Sequence, residues 1–292
     1  MVDFYISLLF LFLRILLLGS ERIFLSKLGK YDSVVVSAIF FLTTSILLIP
    51  GMILIPNLLT IGIWFSFISA FSYAIGFYAY VKALSIEDAS LIAPLYNSSL
   101  LWLFILSVLF LDDVISIFRI IGALLIFFGF FFLYSGKLNQ KLQKLKESKG
   151  SLIMIFGSLF IALGRTIDSY AFEKYPQTNE VLYAISMNFF VGLYLFILVI
   201  LLNKDFNILK SIFKNEKRNL IFGSLANGWA YLFLLLALLG LEITIVEPAS
   251  LLSIFVTAFL AKTFLQEEVK ERIPGTIIIV IGSIFLFTDK FF

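Results

Sequence analysis

The sequence predicts an all-α integral membrane protein in which ten transmembrane helices form two inverted five-helix repeats. Three observations predict it. The 292-residue chain is 61% hydrophobic and 14% charged, against roughly 45–50% and about 25% in ordinary globular chains. A water-soluble fold cannot hide that surplus, because most of its exterior must face solvent. The apolar residues also gather into ten segments near the length of roughly 20 residues that a helix needs to cross a hydrocarbon layer about 30 Å thick. Finally, the two halves of the chain can be laid over each other.

The ten segments are Phe4–Ser26, Val34–Ile55, Ile61–Leu84, Asp88–Leu111, Ile117–Ser135, Ser151–Phe172, Asn179–Leu202, Arg218–Gly240, Glu242–Ala261 and Ile273–Thr288. Short polar turns separate them, such as Pro56-Asn57, Asp112-Asp113 and Pro176-Gln177. Lipid offers no water to satisfy loose backbone groups, so segments of this length read as helices; a barrel would need alternating strands of about ten residues. The first segment lacks the basic start and small-residue cleavage site of a secretory signal and reads as a retained helix. With no Cys and no His, the chain has no disulfide, no thiolate metal site, no cysteine nucleophile and no imidazole base. An enzyme, a metal and a cofactor are therefore not expected, and a net charge of +3 confined to loops does not describe a nucleic-acid surface.

Lys and Arg are unevenly placed. The side holding the N-terminus offers Arg119, Lys174 and Lys290, while the other carries Lys27, Lys30, Lys82, a run from Lys137 to Lys149, a second from Lys204 to Arg218, and Lys270 with Arg272. The positive-inside rule makes the basic side cytoplasmic and both termini external. The basic runs also suit anionic lipid.

Around the fourth and ninth spans the halves match at a constant offset, and beyond them after small gaps. Lys82-Ala83-Leu84 through Pro94 answers Leu236-Ala237-Leu238 through Pro248, each stretch leading to an acidic turn. Arg119-Ile120-Ile121-Gly122 answers Arg272-Ile273-Pro274-Gly275, Gly129 answers Gly282, and Glu21 stands opposite Asp168. The expected organisation is a first repeat over 4–136, a basic cytoplasmic linker over 137–150 and a second repeat over 151–292. Five helices per unit is an odd number, so the second unit enters the membrane from the opposite side. Two such units can exchange conformations around a shared central site, as in secondary transporters.

Ionisable groups inside lipid cost at least about 2.5–3.5 kcal/mol each at mid-span, so they face a protein interior or a watery cavity. Arg14 lies about 15 Å into the first span by helical rise, at the midplane, with Glu21 two turns on along nearly the same face. Arg165 and Asp168 are spaced to pair along the sixth span. Glu247 reaches a depth similar to that of Arg165, which places Arg165, Asp168 and Glu247 in one charge cluster, with Arg14 and Glu21 serving the other half of the cavity. Arg14 suits a substrate carboxylate or phosphate, and a buried carboxylate suits a coupled proton. The other reading is that the charges only neutralise one another and lock helices together.

Asn97 with Ser98, Asn188 and Asn227 also lie near the midplane, fit either for substrate contact or for helix-to-helix hydrogen bonds. Tyr73, Tyr96, Trp102 and Trp229 suit a mixed apolar and hydrogen-bonding wall, or plain packing. Pro94 and Pro248 each remove a backbone hydrogen bond in equivalent helices, a kink that either gates or is tolerated. Gly122, Gly129, Gly275 and Gly282, spaced by seven, read as close-packing positions.

These residues resemble the EamA-type branch of the drug/metabolite transporter superfamily. The resemblance lies in Ala83–Gly129 and Ala237–Gly282, each an apolar helix with an early Pro, then Phe-Leu before acidic residues, then a glycine-spaced last helix. It implies a ten-helix carrier in the cell membrane that moves amino acids or other small organic molecules, often outward, as a monomer or weak homodimer. The alternative is a lipid-translocating or sensory scaffold without small-molecule flux, which an apolar, laterally open cavity would favour.

Overall fold

The computed structural model describes residues 4–53, 63–110, 116–134, 138–175, 177–238, 240–241, 246 and 249–287, and these contain helices and turns but no strand. In chain order the helices are α1 (Phe4–Lys27), α2 (Ser33–Leu48, running into a 3-10 turn Ile49–Ile53), α3 (Ile63–Leu84), α4 (Ala89–Tyr96) and α5 (Ser99–Phe110). They continue as α6 (Ile117–Phe131), α7 (Leu138–Glu147), α8 (Lys149–Lys174) and α9 (Glu180–Leu201). The last four are α10 (Asn207–Asn215), α11 (Lys217–Leu238), α12 (Ser253–Leu260, ending in a π turn Ala261–Leu265) and α13 (Ile273–Phe287).

Six described segments are helical, long and apolar enough to cross a membrane: Ser33–Ile53, Ile63–Leu84, Ala89–Leu106, Lys149–Phe172, Glu180–Leu201 and Lys217–Ala237. The other four expected spans fall on α1, α6, α12 and α13. Large apolar side chains also cover the outside: Phe12, Phe71, Phe127, Phe156, Leu201 and Phe259 are all exposed. Patches of that extent on a water-facing surface would drive association, whereas against acyl chains they are at rest. The chain is a multi-pass membrane protein.

Helix ends follow capping chemistry. The Asp32 carboxylate accepts from the Val34 and Val35 amides at the start of α2, Ser116 caps α6, Ser148 caps α8 and Asn179 caps α9, each satisfying amides that the helix itself cannot. The fourth expected span departs from one continuous helix: it is broken at Asn97-Ser98. The Asn97 side-chain amide donates to the Ala93 carbonyl at 3.1 Å, the group its own backbone N–H would bond in an α-helix, and that N–H turns to the Pro94 carbonyl instead. Side-chain competition for the i−4 carbonyl tightens the turn. The expected linker over 137–150 also contains α7, and the second basic run contains α10. Neither is apolar enough to register as a span.

Packing between the halves is paired. α3 runs along α8 as α1 runs along α11; α5 meets α8 as α1 meets α12; α3 meets α9 as α2 meets α11. The remaining large contacts are α2 with α9 and α6 with α13. At the last of these, glycines let the backbones touch. A Cβ on Gly122 would sit 2.6 Å from the Gly282 carbonyl oxygen, and one on Gly275 would sit 2.7 Å from that of Gly129. The seven-residue spacing read from the sequence is thus an antiparallel backbone contact.

Loops that carry the basic residues are tied together at one end of the bundle. Lys30 pairs with Glu216, Lys204 reaches Asp32 at 2.7 Å, and Arg272 pairs with Asp88. Glu267, from the connection between α12 and α13, accepts from the Ala89 and Ser90 amides at 2.9 and 3.0 Å, capping α4 from another part of the chain. Hydrogen bonding from Lys30 holds the Glu216 carboxyl below its usual range against the opposing effect of burial. Burial works to raise the Asp32 carboxyl, but the bonds from Lys204, Val35 and Val34 outweigh it and hold it low. Both carboxyls are lowered by folding, so their stabilisation is present above the ordinary carboxylate pKa and is lost as pH falls through the lowered folded values.

Candidate functional site

A cavity of about 440 Å³ lies inside the bundle between helices of both halves. Among the described residues its wall includes Arg14, Glu21 and Arg22 from α1, Tyr73, Phe77 and Tyr80 from α3, and Tyr96 with Asn97 at the α4 break. The second half contributes Arg165 and Asp168 from α8, Asn227 and Tyr231 from α11, and Ser250. The cavity reaches Phe172 and Glu180, at the end of the bundle opposite the tied basic loops. A second hollow of about 510 Å³ lies at the basic end among Asp88, Tyr134, Lys144 and Glu267. The inner cavity is the candidate site because it gathers the buried ionisable side chains.

The charged groups are placed by specific contacts. Arg14 is 5% exposed; its Nε donates to Ser250 Oγ at 2.7 Å and its Nη1 to the Ala230 carbonyl at 3.1 Å. Asp168, 7% exposed, accepts from the Tyr73 hydroxyl at 2.7 Å and the Tyr183 hydroxyl at 2.5 Å. Tyr73 itself packs over Gly164, where a Cβ would strike its ring at 2.8 Å, so small volume one turn before Asp168 sets the donor in place. Glu21, 3% exposed, accepts from the Tyr80 hydroxyl at 3.1 Å. The two carboxylates that stand opposite each other in the sequence repeat are therefore both held by tyrosine hydroxyls from α3, with Tyr183 of α9 adding to the second. Charge-assisted bonds of this kind are among the stronger ones in a water-poor interior.

Sequence-selected residues divide. Arg14, Glu21, Tyr73, Tyr96, Asn97, Arg165, Asp168 and Asn227 lie in the cavity wall. Three others are satisfied elsewhere: Ser98 Oγ lies 2.7 Å from both the Leu95 carbonyl oxygen and Ser158 Oγ, Asn188 donates to the Ala184 carbonyl, and the Trp229 indole donates to the Leu47 carbonyl at 3.1 Å. For Ser98 and Trp229 a bond to a neighbouring helix accounts for the polar group, and for Asn188 a bond back to its own helix, with Asn227 Nδ2 3.5 Å from its Oδ1. Pro94 is buried inside α4 and outside the cavity wall. Glu247 and Pro248 lie outside the described residues, so the expected cluster is seen only as Arg165 and Asp168. Sequence reading missed Arg22, which meets the same criterion of a charge inside a span, and Tyr80, Tyr183 and Tyr231, which nothing in the chain distinguishes from the other tyrosines.

Fold and site together define a helical membrane protein with a charged internal cavity. Residues 5–135 match the model of the EamA-like transporter family, so the resemblance read from the paired stretches is borne out over the first half of the chain. A solved structure described only as "Crystal structure of protein" superposes with a TM-score of 0.58 at 13% identity, covering 96% of this chain and 96% of its own. At that identity the shared property is the fold. No curated protein matches the sequence.

Proposed function

We propose that the protein is a secondary carrier that moves a small organic metabolite, amino-acid-like or related, across the cell membrane by alternating access, in the outward direction. The observation that carries this reading is the buried cavity between the halves, large enough for one small metabolite and walled by charged and aromatic side chains together. The paired packing of α1 on α11 with α3 on α8, and of α1 on α12 with α5 on α8, supports an inverted repeat, in which the two halves swap conformations to open one site to either face. The ion pairs at the basic end and the extension of the cavity toward Glu180 support a state closed at the first end. Asp168 and Glu21, and Glu247 beyond the described residues, are the candidates for proton coupling.

A scaffold without flux, or a lipid translocator, would want an apolar chamber. Three arginines and three carboxylates in one wall favour a polar cargo instead. The test is reconstitution in liposomes with a panel of amino acids, nucleosides and cationic drugs, with and without an imposed proton gradient. Saturable movement of at least one solute class above protein-free vesicles is expected. Absence of flux for every class, with the protein shown to be folded and inserted, would reject the carrier.

A further inference from the structure

Arg22 is the least comfortable charge in the molecule. It is 1% exposed and among the largest fully buried side chains. A guanidinium carries five N–H donors, yet among the described residues Arg22 makes one hydrogen bond, from Nη1 to Thr257 Oγ1 at 3.1 Å, and its Nε has no partner. Thr257 is neutral and so supplies no countercharge; its hydroxyl proton is turned to the Gly19 and Ser253 carbonyls. The Arg22 guanidinium carbon lies 5.7 Å from the centroid of the Tyr96 ring, and the Glu21 carboxylate next to it in sequence is within electrostatic reach without a hydrogen bond to it among the described residues. That ring is shared: the Arg165 guanidinium lies 6.0 Å from the same centroid. An aromatic face stabilises a cation but accepts no in-plane N–H, and buried donors normally end hydrogen-bonded. The unpartnered Nε of Arg22, with a second guanidinium on the same ring, leaves room for an anionic acceptor.

We infer that Arg22 and Arg165, gathered at Tyr96, bind the carboxylate of the transported molecule, and that the cargo is a monoanionic organic acid with an apolar body. Glu21 and Asp168 share this wall and would repel the second charge of a phosphate monoester in a water-poor interior. Phe77, Leu103, Phe172 and Leu251, also in the wall, offer the apolar surface that receives the body. The planar fork of arginine matches a carboxylate bidentately, which a lysine ammonium cannot do.

The inference rests on the carrier reading of the same cavity, and the experiment separates the two. Binding to the purified full chain in detergent is measured by calorimetry for phenylacetate, phenylacetamide, phenethylamine and phenyl phosphate, with flux of phenylacetate and of the amino-acid panel measured in liposomes. Phenylacetate is expected to bind about tenfold or more tighter than its amide, a difference of about 1.4 kcal/mol. Arg22→Gln should bring that ratio close to one with phenylacetamide affinity unchanged, and Arg22→Lys should keep part of it. No saturable phenylacetate binding, tighter binding of the amide, amine or phosphate, or a ratio untouched in both variants overturns the inference. Flux of some solute without carboxylate preference would leave the carrier standing and remove the anion seat. Arg22-dependent carboxylate binding without any flux would do the reverse.

Discussion

Gly122→Leu is expected to keep α6 and α13 from closing on each other and to cost the protein its fold. A Cβ at this position would lie 2.5 Å from the Leu286 backbone nitrogen and 2.6 Å from the Gly282 carbonyl oxygen. Both obstacles are backbone, which cannot turn aside as a side-chain tip would. Overpacking costs about 1–3 kcal/mol even where a core can adjust; here the helices must separate and surrender their contact. Gly122→Ala should lower the melting temperature in detergent by several degrees, at about 2–4 °C per kcal/mol for chains of comparable size, and Gly122→Leu should abolish the monodisperse species. Leu124→Ala, on a half-exposed side chain of the same helix, serves as the control and should melt like wild type. Wild-type melting of Gly122→Leu would show that the two helices do not touch at this point.

Asp168→Leu is the second substitution with a large effect, and it works through the groups left behind. The leucine removes the acceptor of two buried hydroxyls, Tyr73 and Tyr183, which now donate at 2.7 and 2.5 Å. Each stranded donor costs about 1–3 kcal/mol, so a combined loss of about 2–5 kcal/mol is expected, read as a fall in melting temperature on the order of 10 °C. Tyr183 keeps one weaker acceptor, Ser69 Oγ at 3.3 Å, so the larger share of the loss falls on Tyr73. Asp168→Asn keeps an acceptor oxygen and the side-chain shape, so it should melt within a few degrees of wild type while changing the pH dependence of flux. Equal melting of Asp168→Leu and wild type would mean that the tyrosines do not depend on this carboxylate.

The spans were legible because a run of about 20 apolar residues has few other physical uses. What the runs hid was local competition. The break at Asn97-Ser98 depends on one rotamer, in which an amide takes the carbonyl owed to the backbone, and no hydropathy window senses it. α10 escaped for a different reason: its apolar residues Ile208, Leu209, Ile212 and Phe213 recur at helical spacing among lysines, a pattern too short and too charged for a span. At the site, charge inside an apolar run pointed to Arg14, Glu21, Arg165 and Asp168, and all four line the cavity. Arg22 carried the same signal, eight residues beyond Arg14 and so near the same helix face, but stands close to the end of its span. Neutral polar residues were less informative, since Asn227 and Asn188 look alike in sequence, yet only the first enters the cavity wall.

The central claim is that one charged cavity between the halves opens in turn to both faces of the membrane. Because the chain has no native cysteine, Asn227→Cys places the only thiol in the cavity wall. A membrane-impermeant thiol reagent can then be applied from either face of oriented vesicles. Labelling from both faces is the expected result. Glu267→Gln, which weakens the cap on α4 and the contact with Arg272, should shift the balance toward entry from the basic face. Labelling confined to one face in both backgrounds, or obtained only with a reagent that travels through lipid, would contradict the account.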